Sequence, residues 1–290
     1  MRKNYLKVVF ALALLIQINL TASPHLFNHE SVTQTDSVSH IINLLNELAE
    51  GSENALFKNH CTSIINLINS TKITSYEEKL LTSFYANLSD TNSIWSTCKL
   101  ASYLERRRPF IISWQSPVDG TTSLAWLLPP QNWDIEKSYP LYVQLHGLYN
   151  SYQNPIEYMT YYLRNNFYME TTFEDGYLLF PWGRGNVWYE GVGESDVWES
   201  ISALNELVKV DSTKRYLVGF SMGGYGVWYI GHRSAEYWAA LGIFAGAMTY
   251  YSGYKIFNES AALKMKEVPV YIVCGNNDGL LNDNKKAYAY

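Results

Sequence analysis

The stretch with the most chemistry in it is Gly219-Phe220-Ser221-Met222-Gly223-Gly224. It contains the spacing Gly-x-Ser-x-Gly. Before it, Tyr216-Leu217-Val218-Gly219 reads as a strand, and after it a helix is expected to run to about Tyr237. A serine on a sharp strand-to-helix turn holds its Oγ above the sheet, where a carbonyl can reach it. Glycines two residues to either side let strand and helix approach without Cβ clashes. The Met222 amide and the positive end of the helix then face a developing oxyanion. This combination suits nucleophilic acyl transfer with Ser221 as the attacking group. The plainer alternative, a Gly-rich turn with an idle serine, does not need the strand and helix that flank it here.

A carboxylate is available later in the chain. Gly275-Asn276-Asn277-Asp278-Gly279 follows the apolar run Val270 to Cys274. An acid placed there fits the order Ser, then Asp, then His, in which the acid fixes the tautomer of the histidine. Asn-Asp-Gly is also turn chemistry, and Asp283 is the second choice. The histidines are His25, His29, His40, His60, His146 and His232, and none follows Asp278. His232 lies two to three turns into the helix after Ser221 and should point away from it. A serine without a base is a poor nucleophile. Two expectations compete. Either the chain is the front part of a longer one, whose closing strand, helix and histidine follow within about 40–70 residues, or it binds without catalysing.

These groups need a scaffold, and the pattern supplies one from residue 109 onward. Short apolar strands are expected at Phe110–Trp114, Leu124–Leu128, Leu141–Leu145, Tyr177–Phe180, Tyr216–Gly219, Ala240–Phe244 and Val270–Cys274, and from Tyr139 onward they alternate with helical spacings. One helix is expected over Glu157–Tyr168, another around Trp198, Ile201, Leu204 and Leu207. Nearly continuous apolar strands alternating with helices indicate a mostly parallel sheet covered on both faces. Ligands in such sheets sit at the C-terminal strand ends. Residues 24–108 read instead as a small helical module, with breaks at Gly51-Ser52 and Asp90-Thr91-Asn92. His40 and His60 have no partners at metal spacing and are read as surface or core histidines.

Composition narrows the function. The 290 residues carry a net charge of −5 and no basic run longer than Arg106-Arg107-Arg108. Nucleic-acid binding is not expected of such a chain. Three cysteines exclude a Cys-based zinc site or a disulfide-dense scaffold. Met1-Arg2-Lys3, the apolar stretch Val8–Leu20 and Thr21-Ala22-Ser23 have the layout of a secretory signal peptide over residues 1–23. Its loss takes the charge from −5 to −8, because Arg2, Lys3 and Lys7 leave with it. The expected address is secreted or periplasmic, with no stable membrane span after cleavage. An uncleaved anchor at residues 8–20 is the rival. Export would allow Cys61 and Cys98 to pair, while three free thiols are an equal reading.

Ser113 to Asp278 resembles the α/β-hydrolases, specifically the secreted prolyl-oligopeptidase-like peptidases and the feruloyl, acetylxylan and polyhydroxybutyrate esterases. The matching pieces are Pro140-Leu141 to His146-Gly147, Ser195-Asp196-Val197-Trp198, Val210-Asp211, Arg215 to Gly226, and Pro269-Val270 to Asp278. The resemblance implies an α/β-hydrolase fold over residues 109–290, lacking its C-terminal strand and helix. It also implies Ser221 as nucleophile, Asp278 as acid, and oxyanion amides at Met222 and Leu148, less surely at Tyr149. His146 is read as shaping that loop on the substrate side rather than as the base. Trp182, Arg184, Trp188 and Tyr189 are expected to wall a substrate groove, with Arg184 free to meet a carboxylate. Asp196 is expected to cap its helix. The implied substrate is a small ester, a polysaccharide-linked ester or a peptide, and the resemblance implies no cofactor or metal.

Overall fold

The computed structural model describes residues 37–51, 55–71, 73–89, 110–131, 133–134, 136–149, 153–164, 175–246, 248 and 258–290. The leader, Asp90-Thr91-Asn92 and Cys98 lie outside the described residues. Three helices come first: α1 (Ser37–Glu50), α2 (Ala55–Ser70) and α3 (Ser75–Ser89). Then follow β1 (Phe110–Gln115), β2 (Thr122–Leu128), β3 (Tyr139–Leu145), α4 (Pro155–Arg164), β4 (Tyr177–Pro181) and α5 (Val192–Leu207). The chain continues with β5 (Val210–Phe220), α6 (Met222–Arg233), β6 (Ala240–Phe244), α7 (Glu259–Lys264), β7 (Val270–Val273) and α8 (Leu281–Ala289).

The seven strands form one sheet in the order β1-β2-β4-β3-β5-β6-β7. β2 runs antiparallel to both β1 and β4, and every other pair is parallel. This mixed sheet, its strand order and its helical cover are the α/β-hydrolase fold. β2 and β4 are buried along their whole length, as continuous apolar runs require. β7 differs: Val270, Tyr271 and Val273 are exposed.

Side-chain contacts show which helices share a face. Ser113 and Trp114 are neighbours in β1 and therefore point to opposite faces. Ser113 bonds His60 of α2, whereas Trp114 bonds Glu199 of α5. So α2 and α5 cover opposite faces, and α3 and α4 pack on the α2 side. The Arg233–Glu194 ion pair ties α6 to α5. The helical module does not keep a core to itself. Ile41, Ile64, Ile68 and Tyr85 belong to the same buried cluster as Leu127, Ile156 and Met159.

His60 shows why a buried polar group is tolerated there. Its Nδ1 is 2.8 Å from Ser113 Oγ and its Nε2 is 3.0 Å from Tyr85 Oη. Burial pushes its pKa down to about 3, so the imidazole is neutral. Cys61 is a free, buried thiol whose pKa burial raises to about 12. His40 is exposed.

Candidate active site

Ser221 occupies the turn between β5 and α6 with φ 55 and ψ −114. A non-glycine residue at positive φ is strained and persists only where its surroundings hold it. Here the Ser221 amide donates to Phe244 O at 2.9 Å, and its carbonyl accepts from the Tyr225 amide at 3.0 Å. The flanking glycines have a direct steric reason. A Cβ on Gly219 would stand 2.2 Å from Gly223 O, and one on Gly223 would stand 2.1 Å from Leu145 O. No backbone atom can give way by that much. Strand and helix therefore meet at van der Waals limits, and Ser221 is pushed outward.

β3 lies beside β5, with Leu145 opposite Gly219. The loop leaving β3 thus passes the serine, and a Cβ on Gly147 would be 3.5 Å from Ser221 Cβ. Two backbone amides are the donors expected for an oxyanion. Met222 is the first residue of α6, where a helical N–H has no partner within the helix. Of the two candidates after His146-Gly147, the Tyr149 amide donates to Asn186 Oδ1 at 3.1 Å. That leaves the Leu148 amide. Asn186 Nδ2 also donates to Tyr149 O at 2.9 Å, so one side chain clamps both backbone groups of Tyr149. Sequence gave no signal for this clamp, because its partners are 37 residues apart.

His146 is buried, with its Nδ1 2.8 Å from Gly147 O and its Nε2 2.8 Å from Trp182 O. Burial holds its pKa below the ordinary histidine value against the pull of both carbonyls. The ring stands between the C-terminal ends of β3 and β4, and the neutral imidazole donates from one nitrogen only, to one of these two carbonyls. It packs beside Tyr158 and Tyr189.

The loop after β4 is a brace. Trp182 and Tyr189 are buried. Tyr189 donates its hydroxyl to His146 O at 3.1 Å, and a Cβ on Gly226 of α6 would strike its ring. Trp188 meets Tyr225 edge-on at 5.4 Å, and Tyr225 donates its hydroxyl to Glu190. Arg184, Trp188 and Tyr189 all have φ near 60. The Arg184 guanidinium is taken at both ends. Its Nε donates to Asp196 at 3.2 Å, and its Nη atoms donate to the two oxygens of Asp119 at 3.1 and 3.0 Å. Arg184 is therefore not free to meet a substrate carboxylate, and Trp182 and Tyr189 back the site rather than line a groove.

Asp196 does not cap its helix. α5 begins at Val192, preceded by Gly191 with φ 53 and no side-chain cap. Asp196 sits inside the first turns, buried, and accepts from Ser123 Oγ, from the Gly183 amide at 2.7 Å and from Arg184. Burial pushes its pKa up to about 6, although these donors and the Arg184 charge oppose the rise.

Asp278 follows β7 as expected. Its Oδ1 accepts from the Leu280 amide at 2.8 Å. Asp283, the alternative acid, is occupied by the Met248 amide. Among the described residues no group of three or more His, Cys, Asp and Glu is arranged to hold a metal ion. No helix there is long and apolar enough to cross a membrane.

The fold and the serine turn together define an α/β-hydrolase scaffold with a strained serine between β5 and α6. Comparison with known proteins gives the following. No protein-family model matches the sequence. Dipeptidyl-peptidase 5 of Porphyromonas gingivalis is 28% identical over 173 residues, covering 53% of this chain and 24% of that protein. The chain thus spans about a quarter of that relative's length. Among solved structures, a ferulic acid esterase aligns with TM-score 0.49 and 18% identity, over 63% of this chain and 84% of the other. The fluorophosphonate-binding serine hydrolase FphF of Staphylococcus aureus aligns with TM-score 0.46 and 16% identity, over 63% and 85%.

Proposed function

We propose that this chain carries the acyl-transfer centre of an exported serine hydrolase that cleaves an ester or peptide bond. The observation that carries the reading is the backbone of Ser221, held at φ 55 between two glycines that tolerate no Cβ. Ser221 Oγ attacks the carbonyl carbon while a base takes its proton. The Met222 and Leu148 amides hold the oxyanion. The leaving group departs with a proton, and water then releases the acyl group. The base we assign to a histidine oriented by Asp278. The exposed Leu148, Tyr149 and Val187 give the mouth an apolar rim suited to an aromatic or apolar substrate group. Residues 1–23 serve as the export leader, and residues 24–108 and 109–290 are the helical module and the hydrolase domain.

A second reading, a hydrolase-fold protein that binds without turnover, draws on the histidines. Both ring nitrogens of His146 face carbonyls, those of His60 face Ser113 and Tyr85, and Nδ1 of His232 faces Trp228 O. The test is labelling of the natural full-length protein with a fluorophosphonate reporter, followed by aryl acetate, feruloyl ester and dipeptidyl anilide substrates. Label on Ser221, lost in Ser221→Ala with the fold kept, is expected. An unlabelled wild type, or label and turnover that survive in Ser221→Ala, refutes the nucleophile. An intact mass lacking residues 1–23 checks the leader.

A further inference from the structure

The rim of the sheet farthest from β7 is the edge of β1. β1 pairs with β2 on one side, and among the described residues its other side pairs with no strand. An edge strand presents a row of unpaired N–H and C=O groups. Natural edges are blunted by lysine, proline or a bulge. β1 has none of these: six consecutive residues pair with β2 without a register shift.

This edge lies at the floor of a groove of about 540 Å³ that follows Ile112 to Gln115. Four residues of strand span about 13 Å. One wall is α2, which presents Asn59, Thr62 and Asn66 on successive turns. The other is α5, which presents Glu199, Ser202 and Glu206 at the same helical spacing. The two walls meet opposite faces of any chain laid along β1, as they meet Ser113 and Trp114. The charge is one-sided. No lysine or arginine lines the groove, whereas Glu199 and Glu206 both do. Both oxygens of Glu199 are fixed, by Trp114 Nε1 at 2.8 Å and Ser116 Oγ at 2.9 Å, so its charge is held in place. Glu206 is exposed.

We propose that this groove binds an extended peptide segment that adds to β1 as an eighth-position strand and carries lysine or arginine on the side facing α5. Main-chain bonds to β1 supply the attachment, and alternate side chains supply the selectivity. A second copy of this chain does not fit, because its own β1 is recessed between the same two helices. The surface is separate from Ser221, so the inference does not depend on the proposed hydrolysis.

The probe is acetyl-Thr-Lys-Val-Lys-Val-Thr-amide with a fluorescent tag, titrated against the full chain by fluorescence anisotropy. Saturable binding is expected, at least tenfold weaker when both lysines are glutamate. N-methylation of alternate peptide amides should weaken it at least tenfold as well, with no change to the protein. Glu206→Lys, on an exposed helix face, should weaken the lysine peptide at least tenfold while melting temperature and circular dichroism stay unchanged. Absence of binding overturns the inference. So does binding indifferent to N-methylation, which marks diffuse charge attraction. Binding of xylohexaose in place of the peptide, or dimerisation that Glu206→Lys abolishes in sedimentation, overturns it in favour of a sugar or a second copy.

Discussion

Acid should unfold this protein partly through one histidine. His60 is neutral in the fold with a pKa of about 3. In the unfolded chain an ordinary histidine titrates near 6.5. The unfolded state therefore binds the extra proton first as pH falls. The stability tied to the neutral ring is fully present above about pH 6.5 and is lost progressively down to about pH 3. Each unit of pH in that window costs about 1.4 kcal/mol. Between pH 7 and pH 5 the loss is about 2 kcal/mol. Other groups titrate in the same range: Asp196, with its raised pKa, contributes in the opposite sense, gaining stability as pH falls through about 6. A comparison with His60→Gln removes that complication, because Asp196 is common to both proteins. Glutamine keeps an amide between Ser113 and Tyr85 but has no proton to gain. Urea unfolding of both proteins at pH 7, 6 and 5 should show the difference in their stabilities moving by about 2 kcal/mol in favour of the variant. Parallel pH dependences would refute the buried, neutral histidine.

Three further outcomes are expected. Gly223→Ala places a Cβ 2.1 Å from Leu145 O, so it should destabilise at the upper end of about 1–3 kcal/mol and sharply slow fluorophosphonate labelling, read by urea melts and gel fluorescence. Asp196→Asn leaves the Arg184 charge half-paired beneath the β4 loop and should cost about 3–5 kcal/mol, seen by calorimetry as a large fall in Tm. Asn186→Ala frees the backbone of Tyr149 and should lower kcat about tenfold with little change in KM, because the loop bearing the Leu148 amide loses its clamp.

The sheet was legible because its strands are buried on both faces and so read as unbroken apolar runs. β2 and β4 are the clearest cases. The serine turn was legible because its glycines are sterically compulsory at fixed spacing. What sequence hid was contact between distant residues. Asp196 sits 73 positions from Ser123 and 13 from Gly183, so a local rule made it a cap. The same rule misplaced the start of α5, where Gly191 turns the chain by its backbone alone, without a capping side chain. Arg184 read as a free cation because Asp119, its partner, comes from the turn between β1 and β2, 65 positions away. The aromatic residues after β4 were recognised as belonging near the serine. The burial of Trp182 and Tyr189 goes with a loop that holds Arg184, Trp188 and Tyr189 at positive φ, which composition does not reveal.

The shared core of helices and sheet has a consequence in time. α1, α2 and α3 leave the ribosome first, yet the apolar faces they must cover belong to β1, β2 and α4. From Ser89 to Arg164 there are 75 residues still to be made. At about 5–20 residues per second that is roughly 4–15 s. Until β1, β2 and α4 have all been made, Ile41, Ile64, Ile68 and Tyr85 lack part of the surface they pack on. The nascent chain is then a set of sticky helices, and any chaperone that escorts it must hold those helices before there is a hydrolase fold to protect.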